Sequence, residues 1–87
     1  MATVWIPSLM RDLTGGLAQV AMPGRTVGEV IDALEGAYPG VKARLCEGEQ
    51  MDPAIQPWVD GRVALLSLLE PVGEGSEVVF LPAVGGG

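Results

Sequence analysis

One segment decides which architectures are open to this chain: Thr26-Val27-Gly28-Glu29, with apolar residues at Val27, Val30, Ile31, Leu34 and Tyr38, closed by Pro39-Gly40. Thr26 and Glu29 form a capping box, in which two side chains satisfy backbone donors that a helix start leaves open. The apolar residues recur at spacings of three and four. A helix beginning at Val27 therefore gathers them on one stripe and turns Glu29, Asp32 and Glu35 toward water. Pro39 cannot continue the ladder and Gly40 tolerates a left-handed exit, so the helix stops there. Such a stripe needs an apolar surface to cover it.

The rest of the chain is patterned to supply that surface as strands. Thr3 to Ile6 is β-branched and aromatic and is stopped by Pro7. Turn formers and apolar residues alternate through Pro7 to Gly16, and the next strand is read over Leu17 to Met22, giving an N-terminal hairpin with a long loop. Pro23-Gly24-Arg25 turns the chain into the helix, and Val41 to Leu45 reads as one further helical turn. Cys46 to Pro53 lacks apolar periodicity and reads as a loop. Strand character resumes at Ile55 to Val59. Asp60-Gly61 is a two-residue hairpin signal between Trp58-Val59 and Arg62-Val63. Leu65 to Leu69 fits a strand or a helical turn. Glu77 to Leu81 carries the strongest strand propensity and ends at Pro82. Hairpin, helix, short strands and final strand predict an α+β fold: a mixed β-grasp (ubiquitin-like) sheet with one main helix on one face. Residues 1–82 form the domain and residues 83–87 a flexible tail.

Composition narrows the function. Eighty-seven residues hold one core and leave little room for a large cleft. With 11 acidic residues against 5 basic and no histidine, the net charge is -6, which opposes sequence-independent nucleic-acid binding and suits docking onto basic protein patches. A single Cys46 excludes an intrachain disulfide framework. No apolar run approaches the roughly 18 to 20 residues that cross a bilayer. The start Met1-Ala2-Thr3-Val4 lacks the blocks of a signal peptide, so a cytoplasmic protein with no membrane partner is expected. No metal-ligand, P-loop or hydrolase constellation is present in the sequence.

The ending is unusual: the strand Val78-Val79-Phe80-Leu81, the link Pro82-Ala83-Val84 and then Gly85-Gly86-Gly87. Terminal glycines also occur by chance, and the rest of the chain has to decide. With these elements the sequence resembles the ThiS/MoaD family of β-grasp sulfur carriers, and within it the CysO-type carriers most closely. Ile6-Pro7-Ser8-Leu9 with Thr14-Gly15-Gly16, Leu34-Glu35 with Tyr38, and Leu81-Pro82-Ala83-Val84 carry that subgroup likeness. Two departures stand out. The turn before the last strand reads Gly75-Ser76-Glu77 where the family often has Gly-Asp, and Gly85 makes the ending a triple glycine.

The resemblance implies that Gly87 is the adenylation and thiocarboxylate site. An E1-like adenylyltransferase/sulfurtransferase would join its carboxylate to AMP, and sulfur would then displace AMP. Val84, Gly85 and Gly86 would thread the partner's channel, where residues without Cβ approach closely. The chain would be a co-substrate rather than an enzyme, with no cofactor of its own, ATP being used by the activating partner. The acceptor would be an enzyme such as a PLP-dependent cysteine synthase or a thiosugar synthase. Two alternatives stay open: the small subunit of molybdopterin synthase, and a ubiquitin-like modifier joined through Gly87 to target lysines. Trp5, Trp58, Met10 and Phe80 can be core or docking patch, as strand-borne apolar residues generally are core. Met10, Trp58 and Phe80 are the candidate docking surface. Cys46, with only Arg44 nearby as a cation, reads as a core residue rather than a persulfide carrier. Glu47, Glu49 and Asp52 read as a solvated loop.

Overall fold

A computed structural model describes residues 1–83; the predicted tail residues Val84, Gly85, Gly86 and Gly87 lie outside the described residues. Strand β1 (Ala2–Trp5) pairs antiparallel with β2 (Gln19–Met22) and parallel with β7 (Glu77–Pro82). On the far side of β7 lies β5 (Ile55–Val59), which hairpins into the short β6 (Arg62–Val63). The sheet order is β2-β1-β7-β5-β6, so the last strand in sequence is the middle strand in space. Helix α1 (Val27–Ala37) lies against one face of this β-grasp sheet. Its buried Val27, Val30, Ile31 and Leu34 share one core with Ala2, Val4, Val59, Val78 and Phe80 of the strands.

The helix start is as the capping box predicts: Thr26 Oγ1 accepts the Glu29 N–H at 3.1 Å, and Glu29 Oε1 accepts the Arg25 N–H at 3.0 Å. Gly24 is required just upstream. Its φ is 148°, and a Cβ there would lie 2.7 Å from the Val30 backbone nitrogen, closer than any side chain permits. Tyr38 caps the helix end and packs half-buried on the core. Helix α2 (Val41–Leu45) follows, with Glu35 accepting the Gly40 and Lys42 backbone N–H groups across the connection.

Several boundaries differ from the sequence expectation for local reasons. The loop from Pro7 contains a 3-10 helix, Ser8–Thr14, which draws Met10 and Thr14 inward. The Thr14 hydroxyl donates to the Leu17 carbonyl at 2.9 Å and holds Leu17 in a turn, so β2 begins at Gln19 rather than Leu17. The segment read as a loop at Cys46 holds a small hairpin, β3 (Cys46–Glu47) with β4 (Gln50–Met51), reversing at Gly48. Leu65 to Leu69 resolves as a 3-10 turn over Ser67–Leu69.

Asp60-Gly61 makes the tight β5–β6 turn, both residues at positive φ (51° and 79°), as such two-residue turns require. Asp60 also ties this turn to the start of β7. Its carboxylate accepts the Glu77 N–H at 2.9 Å and the Ser76 hydroxyl at 2.8 Å, while Ser76 Oγ accepts the Gly73 N–H. These bonds, the Glu77 amide first, hold the Asp60 carboxyl below its ordinary pKa of 3.8. A group depressed on folding stabilises above its unfolded pKa, and that contribution is lost as pH falls through the folded value. Replacing Asp60 with Ala should lower the urea midpoint at pH 7, and the deficit relative to the parent should shrink as pH falls below 3.8. Urea unfolding followed by circular dichroism at several pH values checks this.

Candidate functional site: the root of the tail

The end of β7 is the structurally prepared part of the molecule. β7 runs between two partners, with Val4 opposite Val78 on one side and Pro57 opposite Phe80 on the other. Period-2 alternation then divides its side chains. Val78 and Phe80 face the helix and are buried, whereas Val79 and Leu81 face the other side of the sheet. Pairing continues to the last described residue, where the Ala83 N–H donates to the Ala54 carbonyl at 2.8 Å. The chain therefore remains tethered to the sheet up to the residue before Val84.

Two apolar surfaces flank this exit. On the open face of the sheet, register aligns Gln19, Trp5, Val79, Trp58 and Val63 in one row across all five strands. Trp5 is 37% exposed and Leu81, one step along β7 from that row, 43% exposed. Around the end of the strand lies a groove of about 360 Å³, walled by Pro7, Leu9, Ile55, Leu81 and Pro82, with Met10 and Phe80 as its floor. Arg44 stands at its rim. The guanidinium donates to the Leu9 carbonyl at 2.9 Å and to both carboxylate oxygens of Asp12 at 3.1 Å, pinning the 3-10 helix against α2. This forked pairing holds the Asp12 carboxyl below its ordinary value.

The predicted docking residues are redistributed by this geometry. Trp58 is half-buried on the open face. Met10 and Phe80 are corrected: at 5% and 4% exposure they are core residues, drawn in by the 3-10 helix and by the strand alternation respectively. Their exposed neighbours Leu9 and Leu81 hold the surface positions instead. Period 2 carried that signal in the sequence, because Val78 and Phe80 on the core face require Leu81 on the other. Nothing local in the sequence marked Leu9, at 87% exposure, or the role of Arg44.

Glu47, Glu49 and the half-buried Asp52 sit in and beside the β3–β4 hairpin, with Asp52 accepting the Ala54 N–H at 2.8 Å. Cys46 is buried, and burial pushes its thiol pKa up, with Lys42 only partly opposing. The one cation predicted beside it, Arg44, is engaged by Asp12. Cys46 should therefore react with Ellman's reagent at pH 7 at least tenfold more slowly in the native protein than in urea, since thiolate and access are both restricted. Equal rates would place the thiol at the surface. Among the described residues no group of His, Cys, Asp and Glu is placed to hold a metal, and no helix is long and apolar enough to cross a membrane.

The sequence matches the ThiS family over residues 4–87, which includes the glycine ending. The chain belongs to the ThiS family. The sulfur carrier protein CysO of Mycobacterium tuberculosis (strain H37Rv) is 36% identical, with 98% of this chain and 97% of that protein covered. A chain of the Amycolatopsis orientalis BexX/CysO complex superposes with a TM-score of 0.91 at 37% identity, both chains covered completely. The crystal structure of Mycobacterium tuberculosis CysO gives 0.89 at 31% identity, covering 97% of this chain and 100% of that one. The ThiS relatives are thus small carriers rather than enzymes, and their likeness spans the body and the tail root together.

Proposed function

We propose that this ThiS-family chain is a sulfur carrier whose reacting atom is the terminal carboxylate of Gly87. The observation that carries the reading is the position of β7: a central strand, held by β1 through Val79 and by β5 through Pro82, followed in sequence by a Gly-Gly end, within a match that extends to residue 87. The body contributes a fixed origin for the tail and surfaces on either side of it. An activating E1-like enzyme supplies the chemistry. A Gly87 carboxylate oxygen attacks the α-phosphorus of ATP, pyrophosphate leaves, and the acyl adenylate forms. Sulfide, or a persulfide on the partner, then attacks the acyl carbon and AMP departs. Once any disulfide to the partner is reduced, the end is a thiocarboxylate whose sulfur attacks an electrophilic acceptor. The identity with CysO proteins favours an acceptor in the synthesis of cysteine or another small sulfur-containing metabolite over the molybdopterin synthase role.

The open-face row and the groove beside Leu81 and Leu9 are the surfaces on which the activating partner docks in this account. Docking there brings the Gly87 end into a neighbouring active site without any reshaping of the sheet. The net charge of -6 suits a partner with a basic surface around its channel. Glycines at the end cost ordering entropy on insertion, and contact with the rigid body offsets that cost.

ATP–pyrophosphate exchange by the adenylating enzyme of the same cell tests this reading. The full chain should support exchange and a chain lacking Gly86 and Gly87 should not. Leu81→Glu, at an exposed position, should raise the KM for the carrier about tenfold while kcat changes little, the signature of lost uniform binding. Exchange supported equally by the truncated chain would refute the assignment to Gly87.

A further inference from the structure

The walls of the tail groove are fixed by different means. Leu81 and Pro82 stand on β7, whose register with β5 sets Leu81 against Gln56 and Pro82 against Ile55. Pro7 and Leu9 form the other wall, and Leu9 belongs to the 3-10 segment Ser8–Thr14. That segment is a weaker support. Its bonds are short-range, with the Met10 N–H donating to the Pro7 carbonyl and the Gly16 N–H to the Arg11 carbonyl, both at 2.8 Å, and no side chain caps its start. Hydrogen-bond geometry in a 3-10 helix is also poorer than in an α-helix. Packing anchors its inward side through Met10 and Thr14, but Leu9 is exposed and gains little from the core.

The outward side is held from elsewhere in the chain. Arg44 Nη1 donates to the Leu9 carbonyl at 2.9 Å and to Asp12 Oδ1 at 3.1 Å, and Nη2 donates to Asp12 Oδ2 at 3.1 Å. One guanidinium thus spans Leu9 to Asp12 and ties that stretch to α2. Among the described residues, Arg44 is the one side chain that hydrogen-bonds to the backbone of residues 8–10. A planar fork fixes direction as well as distance, which a lysine ammonium with rotating donors does not reproduce. The clasp lies at the surface, the Arg44 and Asp12 side chains being 45% and 62% exposed, and exposed ion pairs add little to global stability. Its consequence is local: it sets where Leu9 stands.

We propose that Arg44 is a positioning residue for recognition of the carrier. By clasping the Leu9 carbonyl and Asp12, it holds Leu9 as a preformed wall of the tail groove, so that an activating partner docking there meets a surface already ordered. This rests on the groove being the activating partner's docking surface, as proposed above. Arg44 acts through Leu9 rather than as a charge offered to the partner, because Asp12 takes up that charge within the chain.

Two measurements on the full chain test this. Amide hydrogen exchange of Met10 and Gly16, whose N–H groups close the 3-10 segment, should be roughly fivefold faster in Arg44→Lys and in Asp12→Ala than in the parent, with exchange in α1 unchanged. In ATP–pyrophosphate exchange with the adenylating enzyme of the same cell, both variants should raise the KM for the carrier about fivefold and leave kcat within about twofold of the parent. Leu9→Ala should raise KM similarly. Adding Arg44→Lys to Leu9→Ala should then change KM by less than about twofold further, because the wall that Arg44 holds is already gone. Fully additive effects, or an impaired Arg44→Lys beside an unimpaired Asp12→Ala, would overturn the inference by making Arg44 a direct contact with the partner. Unchanged amide exchange in both variants, or an unchanged KM beside an active parent, would overturn it as well. A parent that supports no pyrophosphate exchange would refute the carrier reading itself, and the inference with it.

Discussion

The parallel pairing of β1 with β7 is the constraint on which the rest depends. It joins the first strand to the last and places the last between β1 and β5. A final strand at the edge of a sheet frays easily, because one row of its backbone groups is satisfied only by water. Here β1 pairs with β7 from Glu77 to Val79 and β5 from Val78 to Pro82, and Val78 at 0% exposure and Phe80 at 4% anchor the strand beneath α1. The point at which the chain leaves the sheet is thereby set by the same core that folds the domain, down to the Ala83–Ala54 hydrogen bond.

From that pairing follows a division of labour between the two faces. The helix face is filled, with Val27, Val30, Ile31 and Leu34 excluding water. On the open face Trp5, Val79, Trp58 and Val63 stand in one row, and Leu81 extends it toward the tail. Large apolar groups on a small acidic protein are a solubility burden unless a partner uses them, and clustered patches of this kind mark interaction surfaces. Aromatic side chains suit such a surface because they offer area with few rotatable bonds.

Sequence reasoning succeeded where the cause is local. The Thr26–Glu29 capping box and the Asp60-Gly61 turn are set by residues a few positions apart, and both stand as predicted. Failure came where distant contacts decide. Leu17 is kept out of β2 by the Thr14 hydroxyl, and Met10 is buried by a 3-10 helix that Arg44 holds in place from 35 residues away in sequence. Cys46 pairs with Met51 in a hairpin too short to show periodicity. Phe80 is a different kind of miss, since alternation with Leu81 was present to be read. The function was legible chiefly through the ending and its resemblance, as no chemistry-bearing cluster exists among the described side chains to point to it independently.

The central claim is that sulfur is carried on Gly87, and intact-protein mass spectrometry tests it most directly. The chain would be incubated with ATP, sulfide and the adenylating enzyme of the same cell, beside a chain lacking Gly86 and Gly87. The account predicts a mass gain equal to replacing one oxygen by sulfur, in the full chain alone. No gain in the full chain, with an enzyme whose release of pyrophosphate proves it active, would contradict it.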